Sequence, residues 1–219
     1  MKEKVNVWLP VTLLVVFAAT RWPGLMPPNF SAVYALFFCA GVYFRDGRGW
    51  WLPLAVTAAT DLALDCYYYF AKDIPAFQVY QLLNYAVYLL LIWLGRRFHP
   101  RQSWLALLCG GVLSGGILGA ILFYIVTNTS AWFFNPFHNP EYTRTLQGWL
   151  IALSIGTSKA SMQTWEFFRN TMLSGGLFTG LFVGAMKFSE HLESAREKEA
   201  PEPEAAKDEE TSQPEESQA

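Results

Sequence analysis

Charge is what this 219-residue chain has least of. Asp, Glu, Lys and Arg make up 16% of it, against 53% hydrophobic residues. A soluble domain ordinarily holds about 25% charged residues, so the chain lacks the means to cover a large hydrated surface. Cysteine is rare too. Cys39, Cys66 and Cys109 each lie inside an apolar run, with no CxxC or Cys/His spacing. That excludes a disulfide framework or a zinc site and leaves three small buried hydrophobes. His99, His138 and His191 are far apart in sequence, so no metal site is expected. There is no HExxH, no GxSxG and no phosphate-binding glycine loop. The chain is therefore not expected to be an enzyme, to hold a cofactor or to use a nucleotide itself. No basic patch with interleaved aromatics occurs, which excludes nucleic acid as a partner.

What the sequence does have is long apolar runs. Six segments reach the length and composition of membrane spans. They run from about Val5 to Trp22, Phe30 to Phe44, Trp50 to Phe70, Phe77 to Leu94, Trp104 to Thr127 and Phe167 to Phe188. The expected class is an all-α integral membrane bundle, with residues 1–190 as the membrane domain. The first run has Lys2 and Lys4 before it and Ala18 and Ala19 near its end, as a signal peptide would. Phe17 stands where cleavage wants a small residue, so a retained anchor is expected. Residues 191–219 hold 3 Lys+Arg and 10 Asp+Glu with few apolar side chains. Such a segment cannot bury enough surface to fold and is expected to be a disordered acidic tail.

Basic residues orient the bundle. With the N-terminus inside, Lys2, Lys4, Arg45, Arg48, Arg96, Arg97, Arg101 and Lys187 fall on the cytoplasmic side. Arg21, Lys72, Arg144, Lys159 and Arg169 fall outside. Both termini are then cytoplasmic, in a cell (inner) membrane. The outer connection from Asn128 to Glu166 is rich in aromatics. Its apolar stretch from Leu146 to Ile155 is too short to span and is expected to be an interfacial or re-entrant helix acting as a lid.

Two carboxylates, Asp61 and Asp65, sit inside the third run. An ionised Asp near a bilayer centre costs about 2.5–3.5 kcal/mol on insertion scales. At i and i+4 the two share a helix face with Thr57 and Tyr68. Gln81, Asn84, Tyr85 and Tyr88 form a polar stripe on the fourth run, Asn29, Ser31 and Tyr34 open the second, and Tyr124, Thr127, Asn128 and Trp132 close the fifth. All stand at a similar outer depth, where lipid satisfies none of them. One outcome is an outward-opening pocket for a small polar solute; the other is a hydrogen-bonded knot that pins the helices. Arg21 is placed to neutralise one Asp, which would favour the knot. Interhelical hydrogen bonds in membranes average about 0.6 kcal/mol, so two carboxylates are an expensive knot. Candidate solute-binding residues are Asn29, Asp61, Asp65, Asn84, Tyr88, Asn128 and Trp132. Gly111, Gly115 and Gly119, and Gly176, Gly180 and Gly184, form ladders that suit close helix packing inside the bundle or docking of another subunit.

Four stretches carry a resemblance: PPNFSAVYALFFCAGVYF (Pro27–Phe44), LPLAVTAATDLAL (Leu52–Leu64), FYIVTNTSAWF (Phe123–Phe133) and SGGLFTGLFVG (Ser174–Gly184). Over roughly residues 10–188 the chain resembles an uncharacterised family of bacterial six-span proteins labelled putative transport proteins. That family is similar in layout to the S components of energy-coupling-factor vitamin transporters, which capture a micronutrient from outside. The resemblance implies an S-component-like bundle, a transmembrane coupling subunit and cytoplasmic ATPases as partners, and Asn29, Asp61, Asn128 and Trp132 at or near the pocket. The expected function is capture or uptake of a small water-soluble nutrient: a vitamin, a vitamin precursor or a cation. The alternative is a membrane scaffold that uses its glycine faces and binds no solute.

Overall fold

The computed structural model describes residues 8–44, 50–74, 76–99, 103–158 and 162–199. Among them there are helices and no strands. Seven helices follow in order: α1 (Trp8–Thr20), α2 (Val33–Tyr43), α3 (Trp51–Lys72), α4 (Leu82–Gly95), α5 (Trp104–Phe134), α6 (Leu146–Leu153) and α7 (Thr164–Glu199). A helix stands in each of the six long apolar runs. Two of them, α5 and α7, are long and apolar enough to cross a membrane by length and composition. Lys2, Lys4, Arg45, Arg48, Arg101, Lys159 and the acidic chain past Glu199 lie outside the described residues. α7 itself continues beyond Glu190, supported by Lys187 donating to Glu190 at 2.7 Å and Ser194 donating to the Glu190 carbonyl at 2.9 Å.

The shortest long-run helix is the centre of the molecule. α2 has 11 residues, and every one from Val33 to Val42 is buried. At 1.5 Å per residue it is about 16 Å long, too short for a bilayer core of about 30 Å. A helix that is apolar all round belongs inside a bundle, and α2 is wrapped by α1, α3, α4, α5 and α7. Glycine permits that wrapping. A Cβ on Gly41 would collide with the Ile92 carbonyl of α4, and one on Gly95 with the Phe38 carbonyl of α2. Because the obstacle is backbone on both sides, Gly41→Ala is expected to destabilise by about 1–3 kcal/mol. Gly184→Ala, with nothing within 4 Å of the added carbon, should be neutral or mildly stabilising. Thermal unfolding of the purified variants in detergent checks the pair.

α5 is one continuous rod whose middle, Gly111–Leu118, winds as a π-helix. The widened turns lie where glycines remove bulk. Gly111 and Gly115 face the Phe38 ring, and Gly119 faces Leu91, so the first glycine ladder is filled from within the bundle. The closest approach of α5 to α7 lies outside both ladders: a Cβ on Gly116 would stand 2.7 Å from the Gly175 carbonyl oxygen. In the second ladder Gly176 and Gly180 meet Val112 and Leu108 at ordinary contact distance.

Three connections gather at one end of the bundle. The α1–α2 loop is tied to α7 by Asn170, whose amide donates to the Pro28 carbonyl at 3.0 Å. The α3–α4 connection meets the end of α5 where Tyr80 stacks on Phe134 at 5.9 Å. The α5–α7 connection is closed by its own bonds. Trp132 Nε1 donates to the Thr143 carbonyl at 2.7 Å, and Arg144 donates to the Phe133 carbonyl at 3.0 Å. α3 and α5 both stop on a left-handed residue, Asp73 (φ 52°) and Asn135 (φ 41°). α6 starts on Thr145, whose hydroxyl accepts from Gly148 N, an N-cap of the ordinary kind.

Candidate functional site

α3 turns one narrow stripe inward. Pro53 and Thr57 are buried, and Asp61, Leu64 and Tyr68 follow on the same side toward the end that carries the loops. Its opposite side exposes Trp51, Leu62, Tyr69 and Phe70. Asp61 therefore enters the bundle half-way along a 22-residue helix. There it meets Arg21, the first residue after α1. The Arg21 Nη2 donates to Asp61 Oδ1, and the Tyr85 hydroxyl of α4 donates to Asp61 Oδ2 at 2.7 Å. The two charged side chains are 16% and 27% exposed. Arg21 also passes over the Phe17 ring at 5.7 Å. Its Nε is buried and has no partner among the described residues.

Beside this pair is a cavity of about 430 Å³. Its floor and walls come from Tyr34 of α2, Asp61, Leu64 and Tyr68 of α3, Asn84 and Tyr88 of α4, and Phe123 of α5. Its roof is the α1–α2 loop, from Arg21 through Ser31. The loop is held at its base by Thr20, whose hydroxyl donates to the Phe17 carbonyl at 2.7 Å and accepts from Ala32 N at 3.2 Å. Gly24 (φ 85°) and Asn29 (φ 60°) let it fold back on itself. Left-handed backbone favours glycine and, after it, asparagine, so Asn29 has a conformational reason to be there besides any contact with a solute. Behind the lining, Tyr88 is stacked on Phe37 at 4.4 Å and on Phe123 at 5.8 Å, and Phe123 meets Tyr34 edge-on at 5.2 Å. This aromatic column makes one wall rigid.

Of the residues singled out from sequence, Asn29, Asp61, Asn84 and Tyr88 line this one cavity. Asp65, Asn128 and Trp132 do not. Asp65 is absent from the lining, and the amide of Gln81, the residue before α4, donates to the Ala76 carbonyl at 3.0 Å. The Asn128 amide donates to the Tyr124 carbonyl of its own helix at 2.9 Å, and Trp132 is spent on the Thr143 carbonyl. The connection from Asn128 to Glu166 contributes no lining residue. Its helix α6 packs on α5 and α7 instead, with Trp149 Nε1 donating to Thr129 Oγ1 at 2.9 Å and the Tyr124 hydroxyl donating to the Leu153 carbonyl. Sequence reasoning passed over the roof. Its signal is the Trp22-Pro23-Gly24 and Pro27-Pro28-Asn29 punctuation, a mark of a defined loop between two apolar runs.

The lining carries one positive and one negative side chain, Arg21 and Asp61, so its formal charges cancel. It combines ring surface, two amides and a paired guanidinium and carboxylate, the mixture expected of a small-molecule pocket. At about 430 Å³ it falls in the usual range of about 300–1,000 Å³ for such pockets.

Residues 1–198 match the family described as "Family of unknown function (DUF6580)". No curated protein and no solved structure matches the chain.

Proposed function

We propose a function on one premise: this chain belongs to DUF6580, a family of unknown function, and its chemistry is concentrated in the roofed cavity. The chain is a multi-pass protein of the cell (inner) membrane that captures a small water-soluble solute from the extracytoplasmic side for uptake. The observation that carries this is the cavity itself: beside the Arg21–Asp61–Tyr85 cluster, side chains of α2, α3, α4 and α5 line a space of about 430 Å³. Membrane residence is supported by the outer faces of the helices. Leu173, Leu177 and Leu181 form an exposed apolar row along α7, and Leu105, Leu113, Leu118 and Ile125 are exposed along α5. Apolar surface on that scale needs a lipid or protein partner. The orientation, with cytoplasmic termini and an outward-facing loop end, follows the distribution of Lys and Arg. The chain has no nucleotide-binding motif, so energy for uptake would come from partners, a coupling subunit with ATPases among the candidates.

Arg21 narrows the solute. By neutralising Asp61 it removes the excess negative charge that a bare cation would need, which leaves vitamins, their precursors and other organic nutrients as the better fit. The same pair is the observation that favours the scaffold alternative, in which Arg21–Asp61 is internal glue. A thermal-unfolding panel of vitamins, precursors, amines and metal ions separates the two. At 100 times its dissociation constant a true solute stabilises by about 2.7 kcal/mol. At least one organic compound should do so, and Asp61→Asn should abolish the response to it. A panel without any stabilising compound, or an Asp61→Asn response equal to wild type, would remove the capture function.

A further inference from the structure

We infer that the cavity selects a solute carrying both charges and no net charge, an amino carboxylate with an apolar or ring-bearing body. The inference rests on the capture function above and names the solute class for the same cavity.

The charge balance of the lining is the first observation. Arg21 and Asp61 are the only formally charged side chains among its residues. A guest with one net charge would bring an uncompensated charge into an apolar bundle, and leaving a buried charge unpaired is strongly unfavourable. A guest that is neutral overall adds none.

The second observation is that neither member of the pair is saturated. Arg21 spends Nη2 on Asp61 and its Nε–H is buried from solvent, yet 16% of the side chain remains exposed among the lining residues. A guanidinium edge with an open N–H is suited to a carboxylate oxygen. Asp61 Oδ2 accepts one hydrogen bond, from Tyr85. A carboxylate oxygen can accept two, so an ammonium can be taken there as well. A guest carboxylate at Arg21 and a guest ammonium at Asp61 make the four charges alternate around a ring, and the Arg21–Asp61 bond stays closed. An uncharged guest would leave the exposed part of the Arg21 guanidinium with a weaker partner.

The rest of the lining fits the rest of such a molecule. Trp22, Phe30, Leu64 and Tyr68 offer apolar and ring surface, and the Asn84 amide faces the same space.

Three compounds that differ by one charged group each provide the test: L-phenylalanine, phenethylamine and phenylpropionate. Binding of each to the purified full chain in lipid nanodiscs is measured by calorimetry. Phenylalanine should bind at least about tenfold more tightly than either analogue, equivalent to about 1.4 kcal/mol. Asp61→Asn leaves the lining with one net positive charge, so phenylpropionate should become the tightest of the three. Arg21→Gln leaves one net negative charge, so phenethylamine should. A merely structural ion pair would weaken all three together in both variants. If one variant does not fold, as judged by size exclusion, the reversal in the other suffices. Equal binding of the three compounds to wild type, no binding of phenylalanine, or parallel loss in the folded variants would overturn the inference. The nutrient panel on the same preparation distinguishes the two failures. If another compound stabilises the protein, capture stands and the amino carboxylate class falls; if none does, both fall.

Discussion

Asp61→Ala should cost about 3 kcal/mol of stability, the lower end of the range for breaking a buried ion pair. The lower end applies because Arg21 and Asp61 keep 16% and 27% exposure. Most of that cost is not the lost attraction. It is the Arg21 guanidinium left without its anion, with an Nε that already has no acceptor, together with the Tyr85 hydroxyl left without its carboxylate. Apolar replacement of the whole cluster should therefore recover much of the loss, as removing both partners of a buried pair commonly does. Arg21→Met, Asp61→Leu and Tyr85→Phe combined should unfold within about 1 kcal/mol of wild type and show no stabilisation by any solute. Thermal unfolding of wild type, the single variant and the triple variant measures both effects. A triple variant as unstable as Asp61→Ala would mean that the pair itself holds the helices together. An Asp61→Ala cost below about 1 kcal/mol would mean that the pair is solvated, as surface pairs are.

This combination separates stability from function at one site. If the ion pair were only glue, removing it cleanly would matter little and the space beside it would have no use. The position of that space argues otherwise. The cavity lies where α1, α2, α3, α4 and α5 all reach the same end, under a loop tied at both its base and its middle.

The second large effect is accessibility. Asn84 lines the cavity near the start of α4, while Val87, about one turn further on, is buried and is not among the lining residues. In a background without Cys39, Cys66 and Cys109, a cysteine at 84 should react with a membrane-impermeant thiol reagent on the outside of intact cells. A cysteine at 87 should react at least about a hundredfold more slowly, the reactivity of a thiol being set by its exposure as well as its ionisation.

Much of the architecture was legible in the sequence because apolar length is a local property. Each of the six runs became a helix, and the left-handed stops at Asp73 and Asn135 fall between runs where the chain must turn. The centrality of α2 was readable in part, since a short helix with no polar face has nowhere to lie but inside. The site was only half legible. Asn29, Asp61, Asn84 and Tyr88 do share a cavity, and a helical stripe of polar residues in an apolar run is a sufficient signal for the last three, Asn29 standing in the α1–α2 loop. Asn128 and Trp132 carry the same signal yet are used by the backbone next to them, Tyr124 and Thr143. Residue type alone cannot tell a side chain facing a void from one closing its own loop. The Arg21–Asp61 bond joins residues 40 apart in sequence, and the α1–α2 loop becomes a roof only once α7 holds it through Asn170. The glycine ladders were legible in part. Gly111, Gly115 and Gly119 do pack inside the bundle, against Phe38 and Leu91, but Gly184 meets nothing within 4 Å and the close contact of Gly116 with Gly175 belongs to neither ladder.

The most direct test of the outward-opening cavity is the labelling of position 84 from the two sides of the membrane. Asn84→Cys in intact cells should be modified rapidly by the impermeant reagent, and inverted vesicles should protect it. Modification only in inverted vesicles, or the same slow rate as Val87→Cys from both sides, would contradict a cavity that opens to the extracytoplasmic face.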